Sequence, residues 1–310
     1  MSDTFKVDAN SAIATTWSDG LGVALKQQQP ESLELVGAWT DLSVFTGLVD
    51  SVRTLRLSGA ESNGRVRSLA GLGCFVSLNS LSLANQVETG LENLAAIPLE
   101  SLYATAQTGL MDCLSGSSVR RLSLMAADAS LIQTNLHLPQ LISLNLIRPK
   151  LSDLRSLSGF SSLKTLHVSH ASQLQSLAGI EALPIEHLAV ETAARLVDLG
   201  AATSLDSLKS LRLVGVAKSA RHPALSDSRS LEVVHLAGKE FGPVDWRTLL
   251  ALPRLAKAFA PWDPSVVERA QLEHWLPPNR RFRTFDPAGA RGVRMLFVEV
   301  EACDPSRGTA

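Results

Sequence analysis

KLSDLRSLSGFSSLKTLHV, residues 150–168, decides the reading of the chain. Its end sets Leu163, Leu166 and Val168 in an LxxLxL frame. Around His167 the aliphatic and polar residues alternate, the period-two signature of a half-buried strand. Ahead of the frame, Leu151, Leu154, Leu157 and Phe160 recur every three residues. That spacing suits 3₁₀ turns or an extended ribbon better than an α-helix at about 3.6 residues per turn. A strand this short cannot shelter its own leucines, so it requires a second copy stacked beside it.

The copies are present. The frame recurs at Val52-x-x-Leu55-x-Leu57, Leu78-x-x-Leu81-x-Leu83, Leu99-x-x-Leu102-x-Ala104, Val119-x-x-Leu122-x-Leu124 and Leu141-x-x-Leu144-x-Leu146. Beyond Leu163 it continues at Ile185-x-x-Leu188-x-Val190, Leu208-x-x-Leu211-x-Leu213 and Leu231-x-x-Val234-x-Leu236. Degenerate copies flank these, at Pro30-x-x-Leu33-x-Leu35 and Leu255-x-x-Ala258-x-Ala260. Starts lie 20 to 26 residues apart, a period that announces stacked layers. The chain has 310 residues, of which 52 are leucine and only 5% aromatic. A core built from many small, like layers uses such a composition.

On these residues the sequence resembles the leucine-rich repeat family, and its 22-residue step is similar to the internalin and SDS22-like subclass. The resemblance covers roughly residues 30 to 260. It implies an α/β fold: a right-handed leucine-rich-repeat solenoid with a parallel β-sheet on the concave face and a 3₁₀ or extended convex side. One departure stands out. The family sets an asparagine three residues after the last leucine of the frame. Here those positions read Ala38, Ala60, Gln86, Gln107, Ala127, Pro149, Ala171, Ala193, Val216 and Lys239. The turns must satisfy their backbone groups in another way.

Four segments are expected: an N-terminal cap over 1–29, about ten to eleven repeats over 30–262, a C-terminal cap over 263–303 and a disordered tail over 304–310. The front cap would cover the first layer with Phe5, Val7, Ile13, Trp17 and Val23. At the back, Asp263 and Pro264 open a helix expected to run to Trp275. After it, RRFRTF and VRMLFVEVEA read as a hairpin. The long step after Val52 predicts a bulkier return segment, with SGAESNGRVRSLAGLG as its insert.

Charge and cysteine usage narrow the function. Lys+Arg 29 against Asp+Glu 30 leaves a net charge of −1, whereas nucleic-acid and anionic-membrane binding rest on excess positive charge. No nucleic-acid or membrane partner is expected. Cys74, Cys113 and Cys303 are odd in number and widely spaced, so a reduced, cytoplasmic location is expected, without export leader or membrane span. No nucleophile elbow, phosphate loop or zinc-binding helix appears. The glycine pairs Gly20/Gly22 and Gly71/Gly73 read as turn glycines. Cys303 has too few residues around it for a catalytic domain of its own.

Two clusters invite chemistry. His167 and His187 fall on neighbouring strands, with His170 at a strand exit, a set that could hold a divalent metal. No cysteine or carboxylate except Glu191 stands with them, so contact with a protein partner is the preferred reading, and no metal or cofactor is expected. Arg280, Arg281, Phe282, Arg283, Phe285, Arg291 and Arg294 crowd the C-terminal hairpin. Phosphate contact and base stacking would use such residues, but a capping hairpin with a solvated face accounts for them within a neutral chain.

The strand face is the expected interaction surface, because its outward side chains have no packing duty. Interfaces favour large anchors, with Tyr, Trp, Arg and Met enriched. The candidates are Tyr103, Arg121, Met125, Asn145, Ile147, His167, His187, Glu191, Arg212 and His235, extended toward the C-terminus by Phe259 and Trp262. A non-catalytic scaffold binding one protein is therefore expected. An inhibitor or immunity-type protein, or an adaptor, is its specific form. An exported internalin-like adhesin is the alternative, and a metal-dependent enzyme is the third reading.

Overall fold

The structure is a computed structural model that describes residues 5–59, 66–133, 138–217, 225–237, 244–262, 267, 269–276, 280–285 and 294–300. It divides into two compact units, residues 1–147 and 148–310.

In the first unit the strands are β1 (Phe5–Val7), β2 (Ser11–Ala14), β3 (Ser32–Val36), β4 (Thr54–Ser58), β5 (Val66–Ser68) and β6 (Ser80–Leu83). They continue as β7 (Val87–Thr89), β8 (Ser101–Thr105), β9 (Arg121–Met125) and β10 (Ser143–Ile147). The main sheet runs β1-β2-β3-β4-β6-β8-β9-β10, parallel from β2 onward. The register joins equivalent positions of successive copies: Leu33 to Leu55, Leu55 to Leu81, Leu81 to Leu102, Leu102 to Leu122 and Leu122 to Leu144. All of these are buried.

The second unit repeats the plan with β11 (Thr165–Ser169), β12 (His187–Ala193), β13 (Ser210–Val216), β14 (Val233–Ala237) and β15 (Lys257–Trp262). Leu166, Leu188, Leu211, Val234 and Ala258 form its inward row. Past β15 the direction reverses. Antiparallel β17 (Arg294–Val300) pairs with β15, and β16 (Arg280–Phe285) pairs with β17. Within each unit every frame of the sequence becomes one strand of a parallel stack, the leucine-rich-repeat architecture that the resemblance implied.

Return segments are thin, as the period of three requires. They hold 3₁₀ turns at Ser43–Phe45, Leu72–Cys74, Leu91–Ala96 and Arg155–Leu157. Helices there are short, such as Leu110–Leu114 and Gly200–Thr203. The bulkier segment after β4 carries β5, which pairs with β7 of the next return segment as a second small sheet. Residues 60–65 of its insert lie outside the described residues.

Three devices stand in for the missing asparagines. Serines just before the frame donate to the previous layer: Ser51 Oγ to the Pro30 carbonyl, Ser118 to Leu99, Ser207 to Ile185 and Ser230 to Leu208, at 2.9 to 3.2 Å. Just past the strands, backbone amides bond the next layer. Ala126 N–H meets the Ile147 carbonyl in the first unit, and His170 N–H meets that of Glu191 in the second. Ala126, Arg148, His170 and Thr192 reach this geometry with φ of 51 to 60°, a left-handed corner that costs a non-glycine residue about 1–2 kcal/mol. Finally, Ala127, Ala171, Ala193 and Val216 fill the asparagine places as buried apolar residues. Gln107 keeps the family's habit in kind, its Oε1 accepting from Val87 N at 2.9 Å.

The front of the chain departs from expectation. Ile13 and Val23 are exposed at 45% and 57% rather than covering the first layer. Parity explains Ile13: β2 pairs Ala12 with Leu33 and Ala14 with Leu35, which turns Ile13 outward beside Glu34. Helix α1 (Asp19–Gln28), capped by Ser18, buries Leu21 and Leu25 instead. Gly20 and Gly22 lie inside α1 rather than in a turn, and Trp17 packs edge-on against Phe45 at 5.4 Å.

At the other end a helix covers Arg269–Trp275, while the expected start at Asp263 and Pro264 lies outside the described residues. Cys303 and the tail over 304–310 lie outside them too. Cys74 and Cys113 are half-buried, and burial pushes the Cys74 thiol up to about 11.

Candidate functional site

Strand pleating divides each layer's residues between the core and an outer face. In the first unit the central outward row is Glu34, Arg56, Ser82, Tyr103, Ser123 and Asn145, by register. Arg56 pairs with Glu34 at 3.5 Å, and the Tyr103 hydroxyl points at Met125 Sδ, 3.9 Å away. Arg121 is exposed, with Glu100 at 4.0 Å. Asn145 and Ile147 are half-buried on β10. The neighbours of these anchors are mostly serine and threonine.

The second unit concentrates its chemistry. Its central outward row is His167, Ala189, Arg212, His235 and Phe259. Arg212 Nε donates to Glu191 Oε1 at 2.6 Å, and Arg212 Nη1 lies 3.1 Å from His235 Nδ1. The His235 ring then meets Phe259 at 4.7 Å between centroids. His167 Nε2 stands 3.9 Å from the same Glu191 oxygen, near enough for an ion pair when the ring is charged. One carboxylate, one guanidinium and two rings thus form a connected chain across four strands.

The electrostatics follow from that chain. The Arg212 hydrogen bond holds the Glu191 carboxyl below its usual range. A guanidinium can only donate, so His235 Nδ1 must accept and the ring is neutral with its proton on Nε2. Burial, and then the Arg212 charge, depress the His235 pKa below its ordinary 6.5, while Glu191 pulls it weakly upward. The sign is fixed: the unfolded chain binds this proton more readily, so stability falls as pH drops below 6.5 toward the folded value. We expect the His235 ring resonances to titrate below 6.5 in NMR. Arg212→Gln should shift that midpoint upward, and an unchanged midpoint would show that the guanidinium has no hold on the ring.

A third arrangement lines the start of the strands. Glu186 accepts from Lys164 Nζ at 2.8 Å and Lys209 Nζ at 2.6 Å, which lowers its carboxyl to about 2. Glu232 stands next along this edge, and its charge helps to raise Lys209. The sequence reading missed this alternation, although the repeat places Lys164, Glu186, Lys209 and Glu232 at one frame position.

One expectation changes. Trp262 is 7% exposed, and its indole donates to the Val267 carbonyl at 2.9 Å, so it belongs to the core and offers no surface anchor. His187 pairs with Thr165, one row from His167, and the two histidines are not directly opposed. Among the described residues no three His, Cys, Asp or Glu side chains converge as a metal would need.

No family model matches the sequence, and neither does any curated protein. Among solved structures the chain is similar to internalin C2 from Listeria monocytogenes, at 21% identity over 66% of this chain and 79% of that one, with a TM-score of 0.40. It is also similar to a leucine-rich repeat protein from Leptospira interrogans, at 15% identity over 83% of this chain and 85% of that one, with a TM-score of 0.39. The fold assignment itself stands on the strand register.

Proposed function

We propose that the chain is a non-catalytic scaffold that binds another protein through the outward rows of its repeat strands. One observation carries this reading. In the second unit the inward residues Leu166, Leu188, Leu211 and Val234 are at most 1% exposed, whereas Glu191, Arg212, His235 and Phe259 are interlocked at the surface with no core to fill. Large side chains held in one arrangement before contact lose little freedom on binding, which is how a preformed surface gains affinity. In our reading the protein acts inside the cell, as an inhibitor or immunity-type protein that covers an enzyme's active site or as an adaptor. The neutral charge balance and the unpaired thiols of Cys74 and Cys113 support that location. Among the described residues no helix is long and apolar enough to cross a membrane.

Photo-crosslinking in the native host tests the surface. A crosslinking residue at Ala189, in the outward row, should trap a partner protein, while one at exposed Val197 on the return segment should not. Combining Tyr103→Ala with Arg212→Ala should abolish capture and leave the melting temperature nearly unchanged. Crosslinks from Val197 alone would remove the strand-face assignment.

A further inference from the structure

Ala189 carries the smallest side chain of the second unit's outward row, and the Glu191 carboxylate reaches across it. Glu191 Oε1 lies 2.6 Å from Arg212 Nε on β13 and 3.9 Å from His167 Nε2 on β11, the strands that flank β12. The carboxylate therefore stands over its own strand, between two groups that can each bind it. Only Arg212 does so. His167 Nε2 is shielded from water yet makes no hydrogen bond among the described residues. On the far side, Arg212 Nη1 meets His235 Nδ1 at 3.1 Å, a contact that needs a bare ring nitrogen. A proton on Nδ1 would set donor against donor and cation against cation.

We propose that these four side chains form a proton-operated latch: neutral rings clamp Arg212 between Glu191 and His235, and charged rings release the guanidinium and pass Glu191 to His167. Both protonations push the same way. A charged His235 repels Arg212. A charged His167 attracts Glu191, which has to close by about 1 Å to reach the length of a charge-assisted hydrogen bond. Glu191 stays ionised while the rings titrate, because the Arg212 hydrogen bond already holds its carboxyl below the usual range. Within the unit, Glu191 is the charged group that faces His167. His235 faces Arg212 from β13, Glu191 beyond it from β12, and the uncharged ring of Phe259 from β15. His187 and Lys257 occupy the row beside, and His170 the corner past β11. With neutral rings the cluster holds one charge of each sign. With charged rings the same face gains two positive charges and a free guanidinium. The latch belongs to the chain itself and holds whether or not the face binds a protein.

Heteronuclear NMR of the intact protein tests this, with the Arg212 Nε–Hε peak identified by its absence from Arg212→Lys. Near neutral pH that peak should stand apart from those of solvated arginines, as a hydrogen bond to a carboxylate requires. On acidification it should move to join them, with the midpoint of the His235 ring and therefore below 6.5. His167→Gln should keep Arg212 on Glu191 to lower pH. The His167→Gln, His235→Phe double variant should lose the movement over that pH range, each variant being checked by its melting curve to be folded. A peak that stays in place through the His235 titration overturns the latch, as does a movement that persists unchanged in the double variant. The backbone amide peaks of Leu188 and Leu211 must hold their positions. Their collapse along with the Arg212 peak would mean unfolding and would overturn the latch as well.

Discussion

Gly179→Ala is expected to destabilise the protein by about 2–5 kcal/mol, among the largest effects of any single methyl group in the chain. Two independent penalties meet there. Gly179 has φ +109°, a conformation that side-chain-bearing residues rarely adopt. A Cβ on it would also press into the Cα and N of Arg155 and come within 2.6 Å of the Leu154 carbonyl carbon, all backbone of the preceding return segment. Backbone cannot rotate aside as the tip of a side chain can, so the layers must part. Gly47 supplies the control: its φ is +72° but nothing lies within 4 Å of the added carbon, so Gly47→Ala incurs only the conformational cost of about 1 kcal/mol. Chemical denaturation of both variants decides the matter. Equal losses would show that the close approach of the two return segments contributes nothing.

Trp246→Ala should cost about 3–5 kcal/mol, for different reasons. Trp246 heads the helical turn Trp246–Leu250, which Asp245 caps by accepting from Thr248 N at 3.1 Å and from the Thr248 hydroxyl at 2.6 Å. The indole is 1% exposed, and its Nε1 donates to the Pro261 carbonyl at 3.1 Å, tying the return segment to β15. Truncation leaves a cavity and an unpaired buried carbonyl together. Trp246→Phe separates the two contributions, since it keeps most of the ring volume and loses the donor, for about 1–3 kcal/mol. In urea titrations the midpoint should fall in that order at constant slope. A Phe variant as stable as the wild type would mean that the Pro261 carbonyl needs no partner.

The leucine frame made the sheet legible because each copy is a complete statement: alternation gives the face, and the constant period gives the neighbour. The registers Leu166 to Leu188 and Arg212 to His235 follow from counting alone. The turns were harder to read. Serine bonds such as Ser207 to Ile185 join different layers, and nothing near Ser207 in sequence distinguishes its hydroxyl from the solvated ones. Ile13 and Val23 mislead because large aliphatic residues suggest burial, whereas the parity of β2 and the face of α1 give the buried places to Ala12, Ala14, Leu21 and Leu25. Trp262 misleads in the opposite way, as its partner Val267 lies beyond the last repeat, where periodicity offers no guide. Within the candidate surface, the frame placed Arg212, His235 and Phe259 in one row. It could not show that Glu191, from the row beside it, grips Arg212.

The forked hydrogen bonds at the strand starts carry a consequence for how such a gene can change. In the second unit the carbonyls of Lys164, Glu186, Lys209 and Glu232 each accept from two successive amides of the following layer: Glu186 from Lys209 and Ser210, then Lys209 from Glu232 and Val233. Each of these coils consequently presents the same backbone chemistry above and below. Gain or loss of one full coil leaves no orphaned amide at the seam, while gain or loss of half a coil shears every pairing downstream. Length in such a stack is quantised, and duplication or deletion by whole turns is the route by which its strand face could lengthen or shorten.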